Sequence, residues 1–285
     1  MSLQPTLIPS PSKPVVKWAG GKTQLLPEIV SRLPESFGIY HEPFLGGAAV
    51  FFGLSPETAT LSDTNTHLIG LYQTIRDNHE GLSSALRALE DSYNQMSADE
   101  QSELFYAGRD EFNTVERSAL RRSVLFLLLN KAGFNGLYRE NAKGHFNVPF
   151  GRRRQLAFPS AEHLAGCSKS LQRASLSVAS FDDVASRAKP GDFVYFDPPY
   201  VPLTPESSFT AYQAGGFGLA QQEALATLFA TLTERGVYAL LSNSHTPLVT
   251  ELYKDFTIDV VLARRNINSK GDRRGSVEEV LVRNY

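Results

Sequence analysis

Asp192-Phe193-Val194-Tyr195-Phe196-Asp197-Pro198-Pro199-Tyr200 is the stretch whose reading decides the fold. The run from Asp192 to Phe196 is mostly β-branched or aromatic and reads as a buried strand. The two prolines end its ladder, because they remove backbone donors and force extended geometry. A carboxylate, a fixed turn and an aromatic ring therefore meet at a strand's C-terminal end, the edge where open α/β sheets bind ligands.

The same alternation extends to both sides. Downstream, Leu219 to about Glu234 reads as a helix, Val237–Asn243 as a strand, and Thr257–Leu262 and Val277–Val282 as two last strands. Upstream lie a strand at Ser175–Ala179 and, much earlier, Gly38–Pro43 as a short strand, Phe44-Leu45-Gly46-Gly47 as a tight turn and Ala48–Gly53 as the start of a helix. A second early strand, Ala59–Ser62, closes on Asp63. This order predicts an α/β fold, a mostly parallel, Rossmann-like sheet covered by helices. A glycine turn between strand and helix lets a cofactor approach the backbone, and an acid closing the next strand is placed to accept hydrogen bonds from ribose hydroxyls.

Between these blocks, Asn65 to about Lys131 is helical in pattern, with Leu82, Leu86 and Leu89, then Leu120, Val124, Leu127 and Leu128, at three- and four-residue steps. It is too long for one crossover and reads as an inserted subdomain. The expected organisation is a short mobile tail over 1–14, a catalytic domain from 15–64 and 172–285, and an insertion over 65–171. Before the first strand, Lys17-Trp18-Ala19-Gly20-Gly21-Lys22 precedes an expected helix from Thr23 to about Leu33. Gly21-Lys22-Thr23 ends like a nucleotide phosphate loop, but the glycine that loop needs five residues earlier is Val16.

Composition excludes several classes. The 285 residues, 42% hydrophobic and 20% charged, are ordinary for a globular protein of one large or two modest domains. The longest apolar run noted, Val124 to Leu129, falls far short of a membrane span. The first fourteen residues carry four prolines and no apolar core, so they read as neither signal peptide nor anchor, and a cytoplasmic, nucleoid-associated protein is expected. The single cysteine, Cys167, forms no intrachain disulfide and fits a reducing compartment as a packed or half-exposed thiol. The histidines have no partners at ligand spacing, and His41-Glu42 lacks the paired cysteines of a zinc deaminase, so no metal is expected.

Net charge is −2, but residues 121–154 hold eight Arg or Lys against one acid, Glu140, a formal +7. Arg264, Arg265, Lys270, Arg273 and Arg274 form a second basic patch. Two such blocks in a slightly acidic chain suggest a polyanion-facing side. Phe134-Asn135-Gly136-Leu137-Tyr138-Arg139-Glu140-Asn141, with Gly144 through Arg152, mixes aromatics, amides, glycines and arginines without helical period. It could be an ordinary hairpin with a basic tip; as a DNA contact, its arginines and asparagines would read base edges and its aromatics and leucine would act as wedges.

The Asp197 corner suits a planar amine. Such a nitrogen shares its lone pair with its ring, and two acceptors aimed at its two hydrogens, the Asp197 carboxylate and the Pro198 carbonyl, would draw it towards tetrahedral geometry. Tyr200 can stack on the base and hold it in line. The matching electrophile is a methyl donor with a ribose, and S-adenosylmethionine fits the glycine turn and Asp63. A base inside a duplex must first be swung out. Methylation of a cytosine ring carbon needs a cysteine nucleophile, for which Cys167 lacks the setting.

These motifs together resemble the DNA adenine methyltransferases of the Dam type, which methylate adenine in GATC. The resemblance runs from about Val15 to Tyr285. It rests on Lys17–Lys22, Glu42-Pro43-Phe44-Leu45-Gly46, Leu61-Ser62-Asp63-Thr64-Asn65, Asn135-Gly136-Leu137, Phe146–Arg152, Asp197–Tyr200 and Phe209-Thr210-Ala211-Tyr212. It implies a Rossmann-like S-adenosylmethionine-dependent sheet with an inserted, mainly helical DNA-recognition subdomain. It further implies catalysis at Asp197, Pro198, Pro199 and Tyr200. The cofactor site would be lined by Trp18, Lys22, Phe44, Gly46 and Asp63 and closed by Phe181 and Asp197. Lys17 would reach the first guanine, Phe134 and Asn135 would wedge beside the displaced adenine, and Leu137, Arg139 and Pro149 would read later bases. Arg122, Asn130, Asn141, Arg152 and Arg153 complete the residues expected to face double-stranded DNA. Ala48 stands where the family usually has another glycine, expected to tighten the turn slightly, and Arg153 where relatives often have an aromatic residue. The expected protein is a monomer, with a restriction endonuclease as a conceivable companion. Methylation of another planar amine, in an RNA base or a glutamine, and a DNA-binding relative without catalysis are the alternatives.

Overall fold

The computed structural model describes residues 12–114, 116–202, 217–264 and 276–285. Most of the expected tail, the Phe209–Tyr212 motif and most of the second basic patch lie outside the described residues.

Seven strands form one sheet: β1 (Tyr40–Glu42), β2 (Ala59–Asp63), β3 (Ala174–Val178), β4 (Phe193–Phe196), β5 (Tyr238–Ser244), β6 (Thr257–Arg264) and β7 (Ser276–Arg283). Their order is β3-β2-β1-β4-β5-β7-β6. Neighbours from β3 to β5 run parallel, whereas β7 is antiparallel to both β5 and β6. From β1 the chain moves outwards through β2 to β3, and later from β4 to β5 on the other side. The crevice between the C-terminal ends of β1 and β4 is therefore the topological switch point, where sheets of this kind bind ligands.

Side-chain alternation splits the interior into two layers. On β4, Phe193 and Tyr195 face one apolar cluster, while Val194 and Phe196 face the other. The first layer is packed by α1 (Leu26–Val30), α2 (Ala49–Leu54), α3 (Thr66–Gln95), α4 (Ala98–Thr114), α5 (Ala119–Ala132) and α6 (Ala161–Leu171), the second by α7 (Val184–Arg187), α8 (Leu219–Glu234) and α9 (Pro247–Leu252). α3 begins on the sheet, capped by the Asn65 side chain, and kinks at Asn78. The apolar cluster of the helical segment is continuous with that of the sheet, so α3 and α6 join the two rather than standing apart.

Three local expectations change. The single helix from Thr23 to Leu33 is a 3-10 turn, Lys22–Gln24, followed by the short α1, because Pro27 carries no N–H to continue a ladder and instead starts a new helix. The leucines of α5 do not mark one apolar face: residues 123–130 are all buried, as in a helix at the centre of a bundle. Cys167 is fully buried on α6, a helix capped by Ser160 that the sequence reading left out.

Candidate active site

Asp197 follows the last residue of β4 and turns into the switch-point crevice. Its Oδ1 lies 2.7 Å from Lys22 Nζ and accepts a hydrogen bond from Ser242 Oγ at 3.0 Å. No described residue donates to Oδ2, nor to the Pro198 carbonyl. The carboxylate is thus oriented through one oxygen and offers the other. Burial pushes the Asp197 carboxyl up, opposed by the Lys22 charge and the Lys22 and Ser242 hydrogen bonds. Tyr200 is fixed at both ends, its hydroxyl donating to Glu279 Oε2 at 2.8 Å and its ring centroid 4.5 Å from Lys22 Nζ.

Across the crevice, the glycine turn is built around a positive φ. Gly46 has φ +46, its N–H donates to Asp63 Oδ2 at 3.0 Å, and its carbonyl accepts from the Tyr72 hydroxyl at 2.9 Å. A Cβ there would lie 2.9 Å from Trp18 Cδ1. Asp63 Oδ1 accepts from the N–H of Asn65, whose side chain caps α3, so one short segment closes β2, fixes the turn and starts a helix. Ala48, the departure from the family pattern, is held left-handed at φ 58. Phe44 stacks on Phe181 with centroids 5.4 Å apart, and Phe217 meets Phe44 edge-on at 5.5 Å.

Glu42 ends β1 beneath both halves. It is buried, and its Oε2 accepts from the Tyr40 hydroxyl and the Phe51 N–H. Burial, reinforced by the charges of Asp197 and Asp63, pushes its carboxyl up to about 8 against those two hydrogen bonds. Burial raises Asp63 as well. Three carboxyl groups at the ends of β1, β2 and β4 thus share an environment that favours a cation among them.

The structure brings together Lys17, Phe134, Asn135, Leu137 and Pro149. The Phe134 N–H donates to the Pro149 carbonyl, and Asn135 and Gly136 both have positive φ, which thrusts Phe134, 52% exposed, and Leu137, 37% exposed, outwards. Lys17 has an exposed side chain and a backbone held in both directions by Asn130. Here one expectation is corrected: Asn130 is not on the exposed face. It is 1% exposed and its amide is spent on Lys17 and the Gly136 carbonyl. Arg139 is exposed and braced by Asn147 at 2.7 Å, while Asn141 accepts from Lys143 and His145 to form a local turn. Arg152 and Arg153 are exposed, and the Arg153 carbonyl accepts from Tyr93. Arg122 lies over Phe112 and lines a surface cavity of about 220 Å³ with His67 and Asn113.

Trp18 belongs to two groups at once. Its edge meets Gly46, while its face stacks on Tyr138 at 5.3 Å and Phe126 at 6.4 Å in the helical segment. Ser242, Glu279, Phe217 and Tyr72 were missed in the sequence. Only Ser242-Asn243 carried a signal, two polar residues ending an apolar strand.

A model of the D12 class N6 adenine-specific DNA methyltransferase family matches residues 18–267. A Type II methyltransferase, M1.LlaDCHI, of Lactococcus lactis subsp. cremoris is 39% identical over 279 residues, covering 96% of this chain and 95% of its own. The DNA adenine methylase of Salmonella typhi is 40% identical over 267 residues, and that of Escherichia coli (strain K12) 39% over 267, each covering 94% of this chain and 93% of its own.

Proposed function

The chain belongs to the D12 class of N6 adenine-specific DNA methyltransferases, and from that premise we propose that it methylates the 6-amino group of an adenine swung out of a GATC site in double-stranded DNA, with S-adenosylmethionine as donor. The observation that carries the proposal is that the Asp197 carboxylate is anchored through Oδ1 by Lys22 and Ser242, while no described residue donates to its Oδ2 or to the neighbouring Pro198 carbonyl.

The residues fit the donor. Glu42, Asp63 and Asp197 are carboxyl groups whose ionised forms a positive charge would favour, the Asp63 carboxylate closes β2 and holds the glycine turn through the Gly46 N–H, and Phe44, Phe181 and Phe217 form an apolar cluster that a planar ring would pack against. When bound, S-adenosylmethionine supplies an electrophilic methyl group on a sulfonium. Asp197 and the Pro198 carbonyl would accept hydrogen bonds from the two amino hydrogens of the adenine, which draws its nitrogen lone pair out of the ring. The Asp197 carboxylate would stabilise the positive charge that develops on the adenine nitrogen as it is methylated, until that nitrogen releases one proton to solvent water. Tyr200, tethered by Glu279, keeps the base in line.

Lys17, Phe134, Asn135, Leu137 and Pro149 form the face that opens the duplex and reads it, with Arg139, Arg152 and Arg153 beside them. Residues 65–171 act as the recognition unit on a catalytic sheet from 15–64 and 172–285. We read the enzyme as a cytoplasmic monomer that works on the nucleoid. Methyl transfer to duplexes with and without GATC tests the site: strong preference for GATC is expected, and equal labelling of both defeats it.

A further inference from the structure

Pro198 and Pro199 cannot anchor themselves, because neither has an N–H. Two side-chain amides from other elements supply the anchor. Gln222 on α8 is 1% exposed, and its Nε2 donates to the Pro199 carbonyl at 2.9 Å. Its Oε1 accepts from Asn243 Nδ2 at 3.3 Å. Asn243, at the end of β5 and fully buried, accepts through Oδ1 from the Val201 N–H at 3.1 Å and the Ser244 N–H at 2.8 Å. Ser244 Oγ in turn donates to the Val201 carbonyl.

We propose that Gln222 and Asn243 are positioning residues that sort the two carbonyls of the proline corner: they occupy that of Pro199 and aim that of Pro198 at the target amine. The rings lock φ at both prolines and the peptide planes are rigid, so the corner has two soft torsions, ψ of Pro198 and ψ of Pro199. The Gln222 bond and the Val201 anchor fix the second. The first then spans two fixed points, the end of β4 and the Pro199 peptide. An unoccupied Pro199 carbonyl would also be a competing acceptor one residue away, and an amine drawn to it would point its lone pair off line. The inference rests on the reading of Asp197 and Pro198 as the amine's acceptors.

The test is steady-state kinetics on a GATC duplex, with calorimetric binding of S-adenosylmethionine and of the duplex. Gln222→Met keeps volume and removes the donor. Its kcat should fall about tenfold or more while both KM values and both affinities stay within about threefold. Gln222→Glu supplies a readout that packing alone would not move, because the protonated acid can donate to Pro199 whereas the carboxylate can only repel it. Gln222's bonded partners, Pro199 and Asn243, do not titrate, so the ratio of variant to unmutated kcat should fall steadily from about pH 6 to about pH 9 as this buried acid ionises. Unchanged kcat in Gln222→Met, or a flat ratio in Gln222→Glu, overturns the assignment. Turnover that survives Asp197→Ala overturns the reading beneath it instead.

Discussion

Lys22 Nζ lies 2.7 Å from Asp197 Oδ1 in a site where burial otherwise drives that carboxyl towards its neutral form. The lysine, which the family pattern assigns to the cofactor, is thus the counter-ion of the carboxylate that receives the amine. Lys22→Met leaves only the Ser242 hydrogen bond to oppose burial, and the Asp197 carboxyl rises further. Because Asp197 works ionised, the acid limb of the kcat–pH profile moves to higher pH, and activity lost at low pH returns as pH rises. A loss equal at every pH contradicts this role.

Burial pushes the Glu42 carboxyl up to about 8. A bound sulfonium favours the ionised form, so binding expels a proton and affinity for S-adenosylmethionine rises from about pH 6 to about pH 8. Calorimetry should show a weaker dependence for the uncharged thioether S-adenosylhomocysteine and a weaker one in Glu42→Gln. The same raised value means that the stability contributed by Glu42 is complete below its unfolded value of 4.5 and is lost as pH climbs through about 8. Thermal melts of the free protein over that range should decline less steeply in Glu42→Gln.

Gly136 has φ +65, and a Cβ there would lie 2.7 Å from Lys17 Cδ. Gly136→Ala carries a left-handed penalty of about 1–2 kcal/mol and pushes Lys17 off its seat. Discrimination between GATC and single-mismatch duplexes should fall, with the affinity for S-adenosylmethionine unchanged. Undiminished discrimination contradicts the link between Lys17 and the exposed Phe134–Leu137 turn.

Ala48 sits at φ 58 and is fully buried. Ala48→Gly relieves the left-handed strain at the expense of one buried methyl group, two effects of about 1 kcal/mol each, so chemical denaturation should show a net change below about 1 kcal/mol. A larger loss would mean that the methyl packs more than it strains.

The sheet was legible because its strands carry local marks: apolar runs, prolines that stop β4, and acids that close β1, β2 and β4. α6 was not, since Leu164, Cys167, Ser168 and Leu171 make a face half of which is small or polar, and Ser160 is its only clear signal. The site divided in the same way. Asp197, Gly46 and Asp63 sit at ends of elements that the sequence announces. Ser242 and Glu279 reach the corner only because β5 stands beside β4 and β7 beside β5 in the order of the sheet, and no local pattern encodes that order. Asn130 was misread because an amide in a basic segment looks like a base reader until packing shows that it is buried.

The most direct measurement is the mapping of methylated bases in DNA from cells that express the intact protein or its Asp197→Ala variant. The intact protein should yield N6-methyladenine concentrated at GATC, and the variant should yield none above background while still binding duplex DNA. Methylation of adenines without regard to sequence, or at GATC in the variant, would contradict the account.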